Sequence, residues 1–500
     1  MNRFSQFIAF AVGGALALSM LQGLSACSDG RLYLNQVAQV FGAGLDQDAQ
    51  RELKRFDDAF AMYSNDPTDD RQREHFRNTF RLIRANYVVP VNDTKLIDDA
   101  LKGIEKLEPK AKPGGVKSSV LVEAALDSML AGLDPHSSYL NPDEYLEMKI
   151  SNKGEFGGLG LEVRLEDKLI KVVKPIEDTP ASRAGLQAGD FITHLNGTPV
   201  KGMTLSEGVK IMRGQPGEKI VLTILRTGLA PFDVTLKRAV IHIQSVRWRR
   251  EGNIGYFKVS GFTEQVQIKL EQAAVDMFKD AAKANVNLQG VVLDLRNNPG
   301  GLLDQALFVS DAFLNGGEIV AVRERNARND RVYMAEPGDL SQGLPIVVLI
   351  NEGSASASEI VAEALKDHGR AVIMGRRSFG KGSVQTIQPL PVEGALRLTI
   401  ARYFAPSGHT IQARGVLPDI VIKRAPPKKG ENALKIRREE NYADYLKGDS
   451  IPDKAVTATL ENSACPDVSS QQGDVELGCA LAYLRAGSAK QFLAALKPTL

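Results

Sequence analysis

Three serines alternate with small residues in NEGSASASEI, residues 351–360, directly after the apolar run LPIVVLI. Twenty-five positions beyond the middle serine, Ser356, the stretch GRRSFGKGSVQT (375–386) carries Lys381, with Gln385 four residues further on. A serine hydroxyl is a weak nucleophile until a base takes its proton. A lysine amine packed among apolar neighbours loses affinity for its own proton, because desolvation disfavours the charged form, and can then act as that base. Gln385 would share a face with Lys381 in an extended segment, where its amide oxygen could orient the amine. The more common serine–histidine arrangement has little to draw on. The chain has six histidines. His368 lies at the far end of the helix that Ser356 would open, at about 1.5 Å per residue. His136 sits in the turn-rich LDPHSSYL.

The elements around these residues matter as much as their types. LPIVVLI reads as a strand, SEIVAEALKDHG as a helix and AVIMG as a further strand. Ser356 then falls at a helix N-terminus, among unpaired N–H groups that can stabilise an oxyanion. The same residues have plainer readings. Ser356-x-x-Glu359 is also a capping box, a common way to start a helix. GRRSFGKG nearly matches a phosphate loop, but Gly382 stands where a hydroxyl residue would hold magnesium. Ser378-x-x-Lys381 matches the penicillin-recognising pattern, without a K-T-G partner and in a glycine-rich loop rather than at a helix start. A solvated loop lysine is a further reading.

The chain is 500 residues long, which predicts more than one core. Hydrophobic residues make up 43% and charged residues 24%, as in soluble globular proteins. A net charge of +2 gives no case for nucleic acid. No His/Cys/Asp/Glu cluster has zinc spacing, so neither metal nor cofactor is expected. Residues 28–153 read as mainly helical, with helix-period spacing in RQREHFRNTFRLIRANYV and SSVLVEAALDSMLAGL. Residues 154–240 carry short β-branched runs broken by Gly, Asp and Asn, the pattern of a small β-rich module. From 241 to 425 strands alternate with helices, which predicts an α/β core with parallel pairing. Residues 426–500 read as a charged linker and a helical tail.

Residues 1–27 have an early Arg3 followed by an apolar run, the form of an export signal. Leu24-Ser25-Ala26-Cys27 resembles a bacterial lipobox, with Cys27 as the lipidated residue. An uncleaved anchor or a plain cleaved signal is the alternative, and the membrane is expected to be reached only through the N-terminal signal or the lipid. Of three cysteines, Cys465 and Cys479 are left as a possible pair. They form either a disulfide suited to an oxidising compartment or two buried thiols.

Together, LDPHSSYL (133–140), FGGLGLEV (156–163), LDLRNNPGG (293–301) and the pair GSASASEI and FGKGSVQT occur in an order that resembles the C-terminal processing peptidases, or tail-specific proteases. The resemblance runs from about 75 to 425. It implies a small PDZ domain and a protease core with parallel strands; with the helical N-terminal region and helical C-terminal tail read from periodicity, the expected fold is a multidomain α/β protein. The resemblance implies serine proteolysis by a dyad of Ser356 and Lys381, with Gln385 supporting the lysine; the bacterial periplasm is the compartment expected from the export signal alone. Ser354 and Ser358 would then be structural. The oxyanion donors would be the backbone N–H of Ala357 and of Gly300 or Gly301. The β-rich module would capture a chain end by strand addition, with Leu159, Gly160 and Leu161 holding the terminal carboxylate. Partners would be proteins with exposed, apolar C-terminal tails, with room for an activator or adaptor and for self-association. The competing function is a catalytically silent scaffold that binds exported partners through the PDZ module.

Overall fold

The computed structural model describes residues 45–109, 114–424, 436–448, 456–466 and 473–496. The expected export signal and Cys27 lie outside them. The chain divides into two compact units, residues up to Asn141 with Gln385–Ala401, and Pro142–Val384 with Arg402 onward.

The first unit is built on four helices, Gln47–Tyr63, Asp70–Asn86, Asp93–Glu105 and Ser118–Ala131. Short polar residues cap three of them. Asp46, Asp69 and Asn92 side chains accept from Ala49, Gln72 and Lys95 N–H at 2.8, 3.1 and 2.9 Å. Phe56 and Phe76 stack with ring centroids 3.6 Å apart, and Phe60, Phe80 and Ile83 are fully buried beside them. The short strand Ser138–Leu140 pairs antiparallel with Ala395–Arg397.

In the second unit, a five-strand order forms the β-rich module: Leu161–Glu166, Leu169–Pro175, Phe191–Leu195, Lys219–Leu225 and Phe232–Lys237. Alternate residues of these strands, among them Ile170, Val172, Ile220, Leu222 and Ile224, bury into one apolar core. The helix Leu205–Met212 starts at a reciprocal capping box between Thr204 and Glu207. The entry strand Glu155–Gly158 pairs antiparallel with the exit strand Ala239–His242, which closes the module at its base.

A seven-stranded sheet of this unit forms the α/β core. Its order is Val246–Glu251, Ile254–Val259, Gly290–Asp294, Ile346–Ile350, Ala371–Gly375, Ile420–Ile422 and Ala458–Leu460. The first pair is antiparallel and the rest are parallel. Gly290–Asp294 and Ile346–Ile350 are buried at every position, as expected of strands covered on both faces. Helices Val266–Lys283, Leu303–Asp311 and Ala357–Asp367 occupy the crossovers. The α/β core with parallel strands expected from the alternating pattern is therefore present. The tail is helical but broken. Gly487 adopts φ +76° and ends Val475–Ala486, and Ser488 caps a second helix, Ala489–Ala495. Cys465 and Cys479 are joined by a disulfide, and Cys479, Leu481 and Leu484 pack against Ile254, Val292 and Val347 of the sheet.

Candidate active site

Two neighbouring parallel strands, Gly290–Asp294 and Ile346–Ile350, end side by side, and each runs into a turn. In open α/β sheets this carboxyl edge is where sites form. The two turns are laced together. Asn297 N–H donates to Asn351 Oδ1, and Asn351 Nδ2 donates back to Asn297 Oδ1, both at 2.9 Å. Ala355 N–H donates to Asn298 O at 3.0 Å, and Asn298 Nδ2 to Val259 O at 2.9 Å.

The serines of the second turn differ in what they do. Ser354 Oγ is buried and donates to Leu295 O at 2.8 Å. Ser358 Oγ is buried and donates to Asn298 O at 2.9 Å. Ser356 is the partly exposed one. Its backbone sits at φ +53°, ψ −113°, a region that non-glycine residues rarely occupy and that costs on the order of 1–3 kcal/mol. A strained strand-to-helix turn is a known device for presenting a nucleophilic serine.

Glu359 does more than cap the helix. It is fully buried, and four donors converge on its carboxylate. Oε2 accepts Ser356 N–H at 2.7 Å and Lys381 N–H at 2.9 Å. Oε1 accepts Gly380 N–H at 2.6 Å and Ser378 Oγ–H at 2.5 Å. The turn of Ser356 and the loop of Lys381 thus hang on one carboxylate. Burial pushes Glu359 up to about 7, against the pull of the hydrogen bonds from Ser378, Gly380, Ser356 and Lys381. The Ser-x-x-Glu spacing was legible as a cap; the convergence on Lys381 depends on a loop 22 residues away.

Ser378 is buried, and its hydroxyl also accepts Val416 N–H at 2.6 Å, so it has no nucleophile's freedom. The loop GRRSFGKG leads into the strand Ser383–Pro389 rather than a helix, which removes the phosphate-loop geometry. His368 Nε2 lies 2.7 Å from Glu318 O at the opposite end of the Ala357–Asp367 helix.

Of the expected oxyanion donors, Gly300 and Ala357 are brought together. A Cβ on Gly300 would lie 3.0 Å from Ser356 Cβ and 3.1 Å from Ala357 N. Gly300 has φ +101°, so glycine is required twice over. Its own N–H, however, donates to Asn298 Oδ1 at 2.9 Å. Gly301, at φ +146°, bridges to Phe262.

Below this turn lies a charged knot that the sequence pattern did not single out. Asp294 is fully buried and accepts from Tyr256 OH at 2.7 Å and from Arg296 Nη2 at 2.7 Å. Burial alone would raise Asp294; the hydrogen bond and charge of Arg296 outweigh it and hold it below its usual range. Arg296 also reaches Asp474 and Glu476 of the C-terminal tail at 2.7 and 2.9 Å. The available signal was two charged residues inside the otherwise apolar run VVLDLR.

Gln385 belongs to the first unit. Its Nε2 donates to Thr399 Oγ1 at 3.1 Å, and Thr399 Oγ1 donates to Asp134 Oδ1 at 3.1 Å. Asp134 also accepts His136 N–H, Ser137 N–H and Ser137 Oγ–H, which explains the DPHSS stretch as a buried turn. In the β-rich module, Leu159 is buried in the core and Gly160 adopts φ +79°. Leu161 opens a strand at the end of the sheet order.

A partly exposed serine on a strained strand-to-helix turn of a parallel α/β core is an arrangement that serine hydrolases use. Residues 253–422 match Peptidase family S41, and residues 171–226 match the PDZ domain. The PDZ match begins after Leu159–Leu161. The carboxy-terminal-processing protease of Bartonella bacilliformis is 46% identical over 392 residues, covering 78% of this chain and 84% of the relative. A probable CtpA-like serine protease of Staphylococcus haemolyticus is 36% identical over 304 residues, 60% of each chain. Among solved structures, the photosystem II D1 C-terminal processing protease is 28% identical at a TM-score of 0.42, covering 70% of this chain and 92% of that one. The chain belongs to peptidase family S41, as a C-terminal processing serine protease with a PDZ domain.

Proposed function

We propose that this protease is exported and cuts proteins near unstructured, apolar C-terminal tails by a Ser356–Lys381 dyad. The observation that carries the reading is the shared anchor: Glu359 Oε2 accepts the backbone N–H of both residues. The reading is strengthened by exclusion, since the Ser354, Ser358 and Ser378 hydroxyls are buried and engaged.

Neutral Lys381 takes the Ser356 proton as Oγ attacks the peptide carbonyl. The ammonium returns that proton to the leaving amine as the C–N bond breaks, which leaves an ester on Ser356. Lys381 then activates water to hydrolyse the ester. Ala357 N–H is one oxyanion donor. With Gly300 N–H held by Asn298, Gly301 is the glycine we assign as the second. The tail enters by adding a strand to Leu161–Glu166, which ends the sheet order, with its carboxylate at Leu159–Leu161. Removal of the export signal at Cys27 and lipidation of that residue would tether the enzyme at the periplasmic face of a membrane.

The test uses the mature chain and an unfolded reporter with an apolar tail. Ser356→Ala and Lys381→Ala should each abolish cleavage, and Ser356 should carry the acyl adduct by mass spectrometry. Persistent cutting by Ser356→Ala would sink the dyad. An inactive parent that still binds tails would favour the scaffold. Cys27→Ala should move the protein from the membrane to the soluble periplasmic fraction.

A further inference from the structure

The loop that carries Lys381 is gripped by a segment far along the chain. Residues 436–448 lie against 377–382. Glu439 N–H donates to Phe379 O at 3.2 Å. The Tyr442 ring meets the Phe379 ring edge-on with centroids 6.1 Å apart. Glu440 pairs with Arg377 at 3.1 Å, and Arg377 in turn donates to the carbonyls of Arg414 and Ala413.

At the centre is Gln412, which is fully buried. Its Oε1 accepts the N–H of Gly382, the residue after Lys381, at 2.9 Å. Its Nε2 donates to Glu439 Oε1 at 2.8 Å and to Leu446 O at 3.0 Å. A glutamine amide has two unlike ends, and neighbours decide which way it turns. Here the tail presents two acceptors on one side. They fix the nitrogen toward the tail and so fix the oxygen toward Gly382. Buried Glu439 is the stronger of the two, since a carboxylate accepts charge-assisted hydrogen bonds. Gly448 closes the segment against the same residue. A Cβ there would stand 1.6 Å from Gln412 O, so only glycine allows this approach.

We propose that segment 436–448 is a positioning element of the protease, in which Glu439, acting through Gln412, sets the Gly382 N–H and with it the placement of Lys381. The inference rests on the reading of Lys381 as the general base. Neither Glu439 nor Gln412 is assigned contact with substrate. Their effect is on the geometry of the amine, and a misplacement of about 1 Å in a catalytic group can cost on the order of 100-fold in rate.

The test compares the full mature chain with Glu439→Ala, Glu439→Gln, Gly448→Ala and Ser356→Ala on the tailed reporter, reading kcat, KM and Tm. Glu439→Ala should lower kcat by about 10- to 100-fold with KM nearly unchanged, because tail capture lies elsewhere. Glu439→Gln keeps an oxygen that can accept from Gln412 Nε2 and should recover most of kcat. Gly448→Ala should reproduce the kcat loss without touching the carboxylate, which covers the case in which Glu439→Ala fails to fold. If Ser356→Ala is dead while both Glu439→Ala and Gly448→Ala keep the parental kcat, the inference falls and the dyad stands. If the losses appear in KM, or Glu439→Gln is as impaired as Glu439→Ala, positioning through Gln412 is wrong. Cleavage by Ser356→Ala would remove the dyad reading and the inference with it.

Discussion

The backbone N–H groups of Ser356 and Lys381 point at the same oxygen, Glu359 Oε2, at 2.7 and 2.9 Å. A single buried acceptor therefore fixes the distance between a strand-to-helix turn and a glycine-rich loop. Glu359→Gln keeps the shape but replaces one acceptor oxygen with an NH2 group. That group would face N–H donors, and each donor left unpaired costs about 1–3 kcal/mol. The variant should lose roughly 100-fold in kcat, keep KM, and melt several degrees lower. Parental kcat in a folded Glu359→Gln would show that the shared oxygen is structural only.

Glu359 also predicts opposite pH trends for activity and stability. Its carboxylate is the form that accepts four donors, so activity should rise with pH through about 7, the value to which burial pushes it. The sign for stability is reversed. A carboxyl raised in the folded state favours that state while protonated, so its contribution is complete below the ordinary value near 4.5 and is lost as pH rises through about 7. Glu363, one turn along the same helix, is pushed up to about 7 as well, chiefly by burial, and its Oε2 has no hydrogen-bond partner among the described residues. Arg414, 3.5 Å from Oε1, together with Lys366, pulls it down, while Asp367 and Asp419 push it up. Glu363→Gln should flatten the fall in Tm between pH 5 and 8 and leave the pH–rate profile in place. A Tm slope identical to the parent would remove Glu363 as a source.

Gly300→Ala probes the oxyanion side. A methyl group there would stand 3.1 Å from Ala357 N and 2.8 Å from Ala355 O, at a φ of +101°. The added carbon would cover the N–H assigned to the oxyanion, so kcat should fall by about 100-fold or more. Binding of a tail peptide to the Ser356→Ala background should be unchanged. Retained kcat would mean that the carbonyl sits elsewhere.

Gly160→Ala probes tail capture. With φ +79° and a Cβ position 2.2 Å from Thr179 Cβ, the substitution must displace the loop before Leu161. KM for tailed reporters should rise about tenfold while kcat on saturating substrate stays near the parent. An unchanged KM with an intact PDZ module would argue that capture does not use this loop.

Much of this arrangement could be read from the sequence, and the boundary has a physical cause. Runs such as LPIVVLI and SEIVAEALKDHG carry local period and length, so the α/β core and the place of Ser356 at a helix start were legible. So were the motif order and the family. What the sequence did not disclose depends on long-range partners. Glu359 reads only as a cap because its other three donors arrive from residues 378, 380 and 381. Asp294, at the end of a buried strand, and Arg296, just past it, look misplaced until Asp474 and Glu476 meet Arg296 from 178 and 180 residues away. Gly300 and Gly301 are equivalent in NPGG, and only the Asn298 side chain distinguishes their N–H groups.

The disulfide between Cys465 and Cys479 closes a loop with a sequence separation of 14 and holds the start of the Val475–Ala486 helix beside the sheet. That helix start carries Asp474 and Glu476, which complete the pairing of Arg296. A loop of this size contributes about 3 kcal/mol by restricting the unfolded chain. Reduction should therefore lower Tm by several degrees. It should also lower kcat at temperatures near the transition, because Arg296 loses the partners that hold it under the NNPGG turn. The double variant Cys465→Ala, Cys479→Ala should show the lower Tm without reductant and no response to it. Calorimetry with a thiol count before and after reduction decides the matter. A fully reduced parent that melts at the oxidised temperature would mean that the charged knot, rather than the disulfide, anchors the tail.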